Sequence, residues 1–292
     1  MHDPSHEVRI FEGAGGLRLR ADAWGDPSRP PVLFLHGGGQ TRGAWGSTAR
    51  RVAQHGYHAV SVDHRGHGES DWDPAGDYRA GTMAEDVCRI VTQLGRPPVS
   101  VGASLGGLVS LLAEGESDET VLRSLVLVDI APRMEVDGVK RILHFMRSRP
   151  EGFGSLEEAA DAVAEYLPNR PRPRDLSGLE RNLRRTPDGR YVWHWDPRFL
   201  EHATATGIAD ASRRRFDAAA RRLRVPTLLV RGGMSDVVSE EGAREFLERV
   251  PHADYVDVSK AGHMVAGDRN DAFSQTVLAF LHRGNGHGPS VQ

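Results

Sequence analysis

Ser104, Asp236 and His263 have the side-chain types, and the order along the chain, to form one line that moves a proton. Ser104 lies in Gly102-Ala103-Ser104-Leu105-Gly106-Gly107, directly after the apolar run Val99–Val101 and at the start of a helix-like segment. A serine at a strand–turn–helix junction projects its hydroxyl from the sheet. Glycines two residues to either side remove the Cβ atoms that would collide as strand and helix close on each other. The helix start adds free N–H groups for a developing oxyanion. With ordinary glycine and serine usage, a Gly-x-Ser-x-Gly string arises by chance in roughly one chain in ten of this length, so its placement after a strand carries the weight. The hydroxyl needs a base to take its proton, and the base needs a carboxylate to hold its tautomer. His263 lies in Ala261-Gly262-His263-Met264 after the run Tyr255–Val258, and Asp236 ends Arg231-Gly232-Gly233-Met234-Ser235-Asp236 after Thr227–Val230. The order serine, acid, histidine predicts Ser104 as nucleophile, Asp236 as orienting acid and His263 as base.

Groups this far apart in sequence need a sheet to gather them. Val8–Phe11 and Leu17–Trp24 read as an antiparallel pair across the turn Gly13-Ala14-Gly15-Gly16. Val32–Leu35, Ala59–Val62, Val99–Gly102 and Leu125–Ile130 are continuous apolar runs of strand length, as expected of parallel strands covered on both faces. Helical stretches near Ala44–Gln54, Met83–Leu94 and Leu105–Ala113 alternate with them, and Gly56 and Gly95 stand where helices end. The alternation stops after Ile130. From Arg133 to Leu223 the chain is helix-prone, punctuated by prolines and without a strong strand; it resumes with Thr227–Val230, a helix near Glu240–Val250, Tyr255–Val258 and a last helix near Ala272–His282. The expected organisation is a core of residues 1–132 and 224–283, an all-helical insertion at 133–223 and a disordered tail at 284–292.

Bulk properties narrow the function class. A net charge of -3, with 26% charged and 39% hydrophobic residues, offers no basic face for nucleic acid. The single cysteine, Cys88, excludes an internal disulfide and a cysteine-based zinc cluster. No run approaches the roughly 18 apolar residues of a membrane span, and Met1–Val8 is polar, unlike a signal peptide. A cytoplasmic protein acting on a small molecule is expected, with neither nucleic acid nor membrane as partner. No Gly-x-Gly-x-x-Gly follows the first parallel strand, so no dinucleotide is expected, and no other cofactor. His64 and His67 are three residues apart, but the glycine-rich context reads as a shaped loop and not as a metal site. His36 likewise reads as a loop-shaping residue.

With His36-Gly37-Gly38-Gly39 after the third strand and Asp63-His64-Arg65-Gly66-His67-Gly68-Glu69-Ser70 after the fourth, the sequence resembles the α/β-hydrolase superfamily. The resemblance is to the capped branch of esterases, lactonases, C–C bond hydrolases, cofactor-free haloperoxidases and epoxide hydrolases, and it covers nearly the whole core. It implies an α/β fold with an eight-stranded, mostly parallel sheet, helices on both faces and a helical cap inserted after strand six. It further implies that the N–H groups of Gly38 and Leu105 form the oxyanion hole. Asp129, ending strand six in Val128-Asp129-Ile130-Ala131-Pro132, is a second position from which relatives supply the acid. Epoxide hydrolases and dehalogenases of the family use an aspartate nucleophile; a serine favours carbonyl substrates through an acyl-enzyme. Carboxylic-ester hydrolysis is therefore the expected activity, with lactone or C–C hydrolysis, or ligand binding without turnover, as alternatives. The insertion carries Phe145, Met146, Trp193 and Trp195, which are expected to face an apolar substrate.

Overall fold

The computed structural model describes residues 3–168, 172, 174–201, 211–259, 261–263, 265 and 270–284. The expected tail lies outside the described residues except for Gly284, which closes the last helix. Strands β1 (His6–Glu12) and β2 (Arg18–Trp24) pair antiparallel. They are followed by β3 (Pro31–Leu35), α1 (Gly46–Gln54), β4 (His58–Val62), α2 (Ala80–Leu94), β5 (Val99–Ala103), α3 (Leu105–Gly115) and β6 (Ser124–Val128). After the insertion come α7 (Ala211–Arg222), β9 (Thr227–Gly232), α8 (Glu240–Arg249), β10 (Asp254–Val258) and α9 (Asn270–Gly284). The strands form one eight-stranded sheet in the order β1-β2-β4-β3-β5-β6-β9-β10. Only the β1–β2 and β2–β4 pairs run antiparallel.

Side chains alternate across the parallel strands and feed two cores. Leu33, Leu35, Leu125 and Leu127 face one side, with α2, α3, α7 and α8. Val32, Phe34, Val126 and Val128 face the other, with Trp45 and the helices α1 and α9. Covering both faces makes these strands read as unbroken apolar runs. The α2 helix ends at Gly95, whose φ of 75° is a left-handed stop that glycine adopts without steric cost.

The segment between β6 and β9 departs from the all-helical expectation. It holds helices α4 (Val136–Arg147), α5 (Leu156–Tyr166) and α6 (Ser177–Glu180), and also a hairpin of β7 (Leu183–Arg185) and β8 (Tyr191–Trp193). Thr186-Pro187-Asp188-Gly189 makes its turn, with Gly189 at φ 88°. Among the described residues, no strand of this segment joins the main sheet. No helix among the described residues is long and apolar enough to cross a membrane.

Candidate active site

Parallel strands gather their carboxyl ends at one rim, where α/β sheets bind ligands. Ser104 sits there between β5 and α3, with φ 47° and ψ -113°, a conformation unusual for a residue with a Cβ. The neighbouring glycines make the turn possible. A Cβ on Gly102 would lie 2.4 Å from the carbonyl carbon of Gly106, and one on Gly106 would lie 2.3 Å from the Leu35 carbonyl oxygen. The Ser104 N–H donates to the Val128 carbonyl at 3.1 Å, tying the serine to the end of β6, one residue before Asp129.

Asp129 is fully buried, with φ 50°. Its Oδ1 accepts from the Gly232 N–H at 2.8 Å, and its Oδ2 accepts from the Ser235 hydroxyl at 2.5 Å and from His263 Nδ1 at 2.7 Å. The carboxylate thus fixes the ring of His263, whose side chain is 14% exposed. A carboxylate only accepts, so Nδ1 carries a proton, and in the neutral ring Nε2 is the nitrogen free to accept one.

The expected acid, Asp236, is not the residue beside the imidazole. It forms an ion pair with Arg141 on α4, partly exposed to solvent. The reason is local. Ser235 donates to Asp129 and accepts from the N–H groups of Val237 and Val238 at 3.1 Å each, closing a tight turn that carries Asp236 outward. There α4 presses on it; a Cβ on Gly138 would lie 2.1 Å from the Asp236 carbonyl oxygen. The acid beside His263 comes from the end of β6, the position the sequence offers second.

Most N–H groups of the loop after β3 have acceptors. Gly37 N–H donates to Gln40 Oε1 at 2.9 Å, Gln40 N–H to the Gly37 carbonyl at 3.1 Å and Gly39 N–H to His67 Nε2 at 3.2 Å, while the His36 carbonyl accepts from the Gly106 N–H of α3 at 3.2 Å. The N–H groups of Gly38 and Leu105, the expected oxyanion donors, have no acceptor among the described residues. His36 and His64 hold this loop to its neighbour: His64 N–H donates to His36 Nε2 at 3.1 Å, and His64 Nε2 donates to the His36 carbonyl at 3.0 Å. Burial pushes His64 down to about 3 and His67 to about 4, and holds His36 well below the ordinary imidazole range. These rings are neutral struts at working pH.

The four aromatic and sulfur side chains expected at the substrate divide into two pairs. Met146 and Trp195 reach the loop: a Cβ on Gly39 would lie 3.0 Å from Met146 Cε and 3.3 Å from Trp195 Cζ3. Trp193 stacks on the outer side of Trp195 at 5.0 Å, and Phe145 stacks on Tyr166 at 4.1 Å and meets Trp193 edge-on. These two are a layer further out. Phe199 is an addition that no motif announced; its ring would contact a Cβ on Gly38 at 3.6 Å.

Residues 30–269 match the family described as the alpha/beta hydrolase fold. The chain is 31% identical to the esterase Rv0045c of Mycobacterium tuberculosis, over 96% of this chain and 91% of that one. It is 27% identical to the 3-hydroxybutyrate-oligomer hydrolase of Cupriavidus necator, over 88% and 90%. The structure of an E-2-(acetamidomethylene)succinate hydrolase superposes with a TM-score of 0.83 at 24% identity, over 95% of this chain and 99% of that one, a likeness of fold. The chain belongs to the α/β-hydrolase family. Within it, the named relatives make it a hydrolase acting on ester bonds.

Proposed function

We propose that the protein hydrolyses a carboxylic ester of an apolar small molecule through an acyl-enzyme. Ser104 is the nucleophile, His263 the base and then the acid, Asp129 the orienting carboxylate, and the N–H groups of Gly38 and Leu105 the oxyanion donors. Residues 133–223 act as a cap over the core of residues 1–132 and 224–283. The 2.7 Å bond between His263 Nδ1 and Asp129 Oδ2 carries this reading, because it leaves Nε2 as the basic atom.

Ser104 Oγ attacks the ester carbonyl as its proton passes to His263 Nε2, and the carbonyl oxygen gains a negative charge between Gly38 and Leu105. Collapse of that adduct breaks the C–O bond, and the alkoxide leaves with the proton from Nε2. Water then repeats the sequence: it gives a proton to Nε2, adds to the acyl carbon and releases the acid as Ser104 recovers its hydrogen. Met146, Trp195 and Phe199 beside the loop supply an apolar wall for the acyl or alcohol group.

The Ser104→Ala variant is expected to stay folded, to lose p-nitrophenyl ester turnover and to take up no fluorophosphonate probe. Undiminished activity in that variant ends the reading. A panel of p-nitrophenyl esters, lactones and β-diketones separates ester hydrolysis from lactone and C–C cleavage.

A further inference from the structure

Three successive peptide groups of the loop after β3 are each held by an imidazole. His36 Nδ1 donates to the Gly37 carbonyl at 2.8 Å, which aims the N–H of Gly38 on the same peptide. His67 Nε2 accepts from the Gly39 N–H at 3.2 Å, while its Nδ1 donates to the Arg65 carbonyl at 3.1 Å. The third imidazole is His194, 155 residues away in the chain, directly after β8. The Gly68 N–H donates to His194 Nδ1 at 2.7 Å, so the proton sits on Nε2, which faces the Gly39 carbonyl at 3.3 Å. Gly39 is thus gripped at its N–H by the core and at its carbonyl by the insertion.

The segment carrying His194 is docked firmly on the core. The Asp196 N–H donates to the Gly66 carbonyl at 2.8 Å, and the Tyr78 hydroxyl donates to Asp196 Oδ2 at 2.5 Å. Arg198 reaches the carbonyls of Asp73 and Pro74 at 2.9 and 3.1 Å. The His194 ring itself is 2% exposed and lies 5.8 Å from His67 and 5.4 Å, edge-on, from Trp195. Burial first, then the neighbouring His67, push it down to about 3, so the ring is neutral, and its bonds to the two glycines set the tautomer.

We propose that His194 is a positioning residue for the oxyanion hole: through Gly39 and Gly68 it makes the aim of the Gly38 N–H depend on the seated insertion. The inference rests on the hydrolytic reading above. Its loss acts on the transition state, where charge reaches the oxygen facing Gly38, more than on substrate binding.

The test compares the parent with His194→Phe, which keeps a ring but removes both hydrogen bonds, and His194→Gln, which restores one donor and one acceptor. With p-nitrophenyl butyrate, His194→Phe is expected to lower kcat by roughly 10- to 100-fold, with KM within about twofold and a parallel loss of affinity for a trifluoromethyl ketone, whose adduct places an oxyanion in the hole. His194→Gln is expected to recover most of the loss. A folded His194→Phe protein with kcat within about twofold of the parent, or a loss confined to KM, overturns the proposal. Should that variant not fold, the parent decides: the His194 Nε2–H proton resonance moves when the ketone adduct forms, and an unmoved resonance overturns the proposal. A parent that turns over no ester and takes up no fluorophosphonate is a separate result, a failure of the hydrolytic reading itself.

Discussion

An imidazole serves as a base only through its unprotonated nitrogen, and at His263 Asp129 makes that choice. The carboxylate is itself held by the Gly232 N–H and the Ser235 hydroxyl, so the ring is aimed by a carboxylate that is already anchored. The buried imidazoles around the β3 loop set a second property at this scale. Well above pH 6.5, His64, His67 and His194 are neutral in the folded and the unfolded chain, and their full contribution to stability is present. Below about pH 6.5 the unfolded chain takes up protons that the folded chain refuses. Stability then falls by about 1.4 kcal/mol per pH unit for each histidine, until the folded values are reached, about 4 for His67 and about 3 for His64 and His194. Asp63 and Asp86, whose carboxyls burial pushes upward, work in the opposite direction, adding stability as pH falls through their raised values. Urea midpoints at pH 7, 6 and 5 are therefore expected to drop steeply; a flat profile over that range contradicts the assignment of these rings as neutral struts.

The elements were legible where burial on two faces imposed a pattern. Pro31–Leu35, His58–Val62 and Ser124–Val128 are buried along their whole length, and their apolar runs announced them to within a residue or two. The hairpin of the insertion was not legible in the same way. Leu183–Arg185 and Tyr191–Trp193 are three residues each, with two exposed arginines in the first, too short for any period to emerge. Its Pro-Asp-Gly turn was written in the sequence but sat among other prolines that read as helix breaks. The serine turn is the most demanding junction in the chain. Gly106→Ala is expected to cost about 2–4 kcal/mol, because its Cβ would meet the Leu35 backbone, which cannot move without shifting β3. Chemical denaturation measures this; a variant as stable as the parent contradicts the close approach.

On the scale of the molecule, one rim collects groups from the ends of β5, β6 and β10 together with the loop after β3, and Met146, His194, Trp195 and Phe199 of the insertion pack against that loop. The positions of Ser104, His263, Gly38 and Leu105 just beyond strand ends were readable, because each follows a strand with a motif around it. The choice between Asp129 and Asp236 was not, because both follow adjacent strands, and Ser235 turns the second outward through contacts made across the sheet. His194 and Phe199 were invisible for the same reason: their contacts with the loop after β3 exist only once these residues are packed on the core.

In the proposed mechanism the Asp129 carboxylate drives the attack of Ser104 through His263. Rates of fluorophosphonate labelling and of p-nitrophenyl ester turnover in the parent, Asp129→Asn and Asp236→Asn test this. Asp129→Asn is expected to lose about 10³- to 10⁴-fold, from the wrong imidazole tautomer, and Asp236→Asn to change by no more than about threefold, because its partner is a half-exposed arginine. The reverse order, with Asp236→Asn crippled and Asp129→Asn active, would contradict the mechanism.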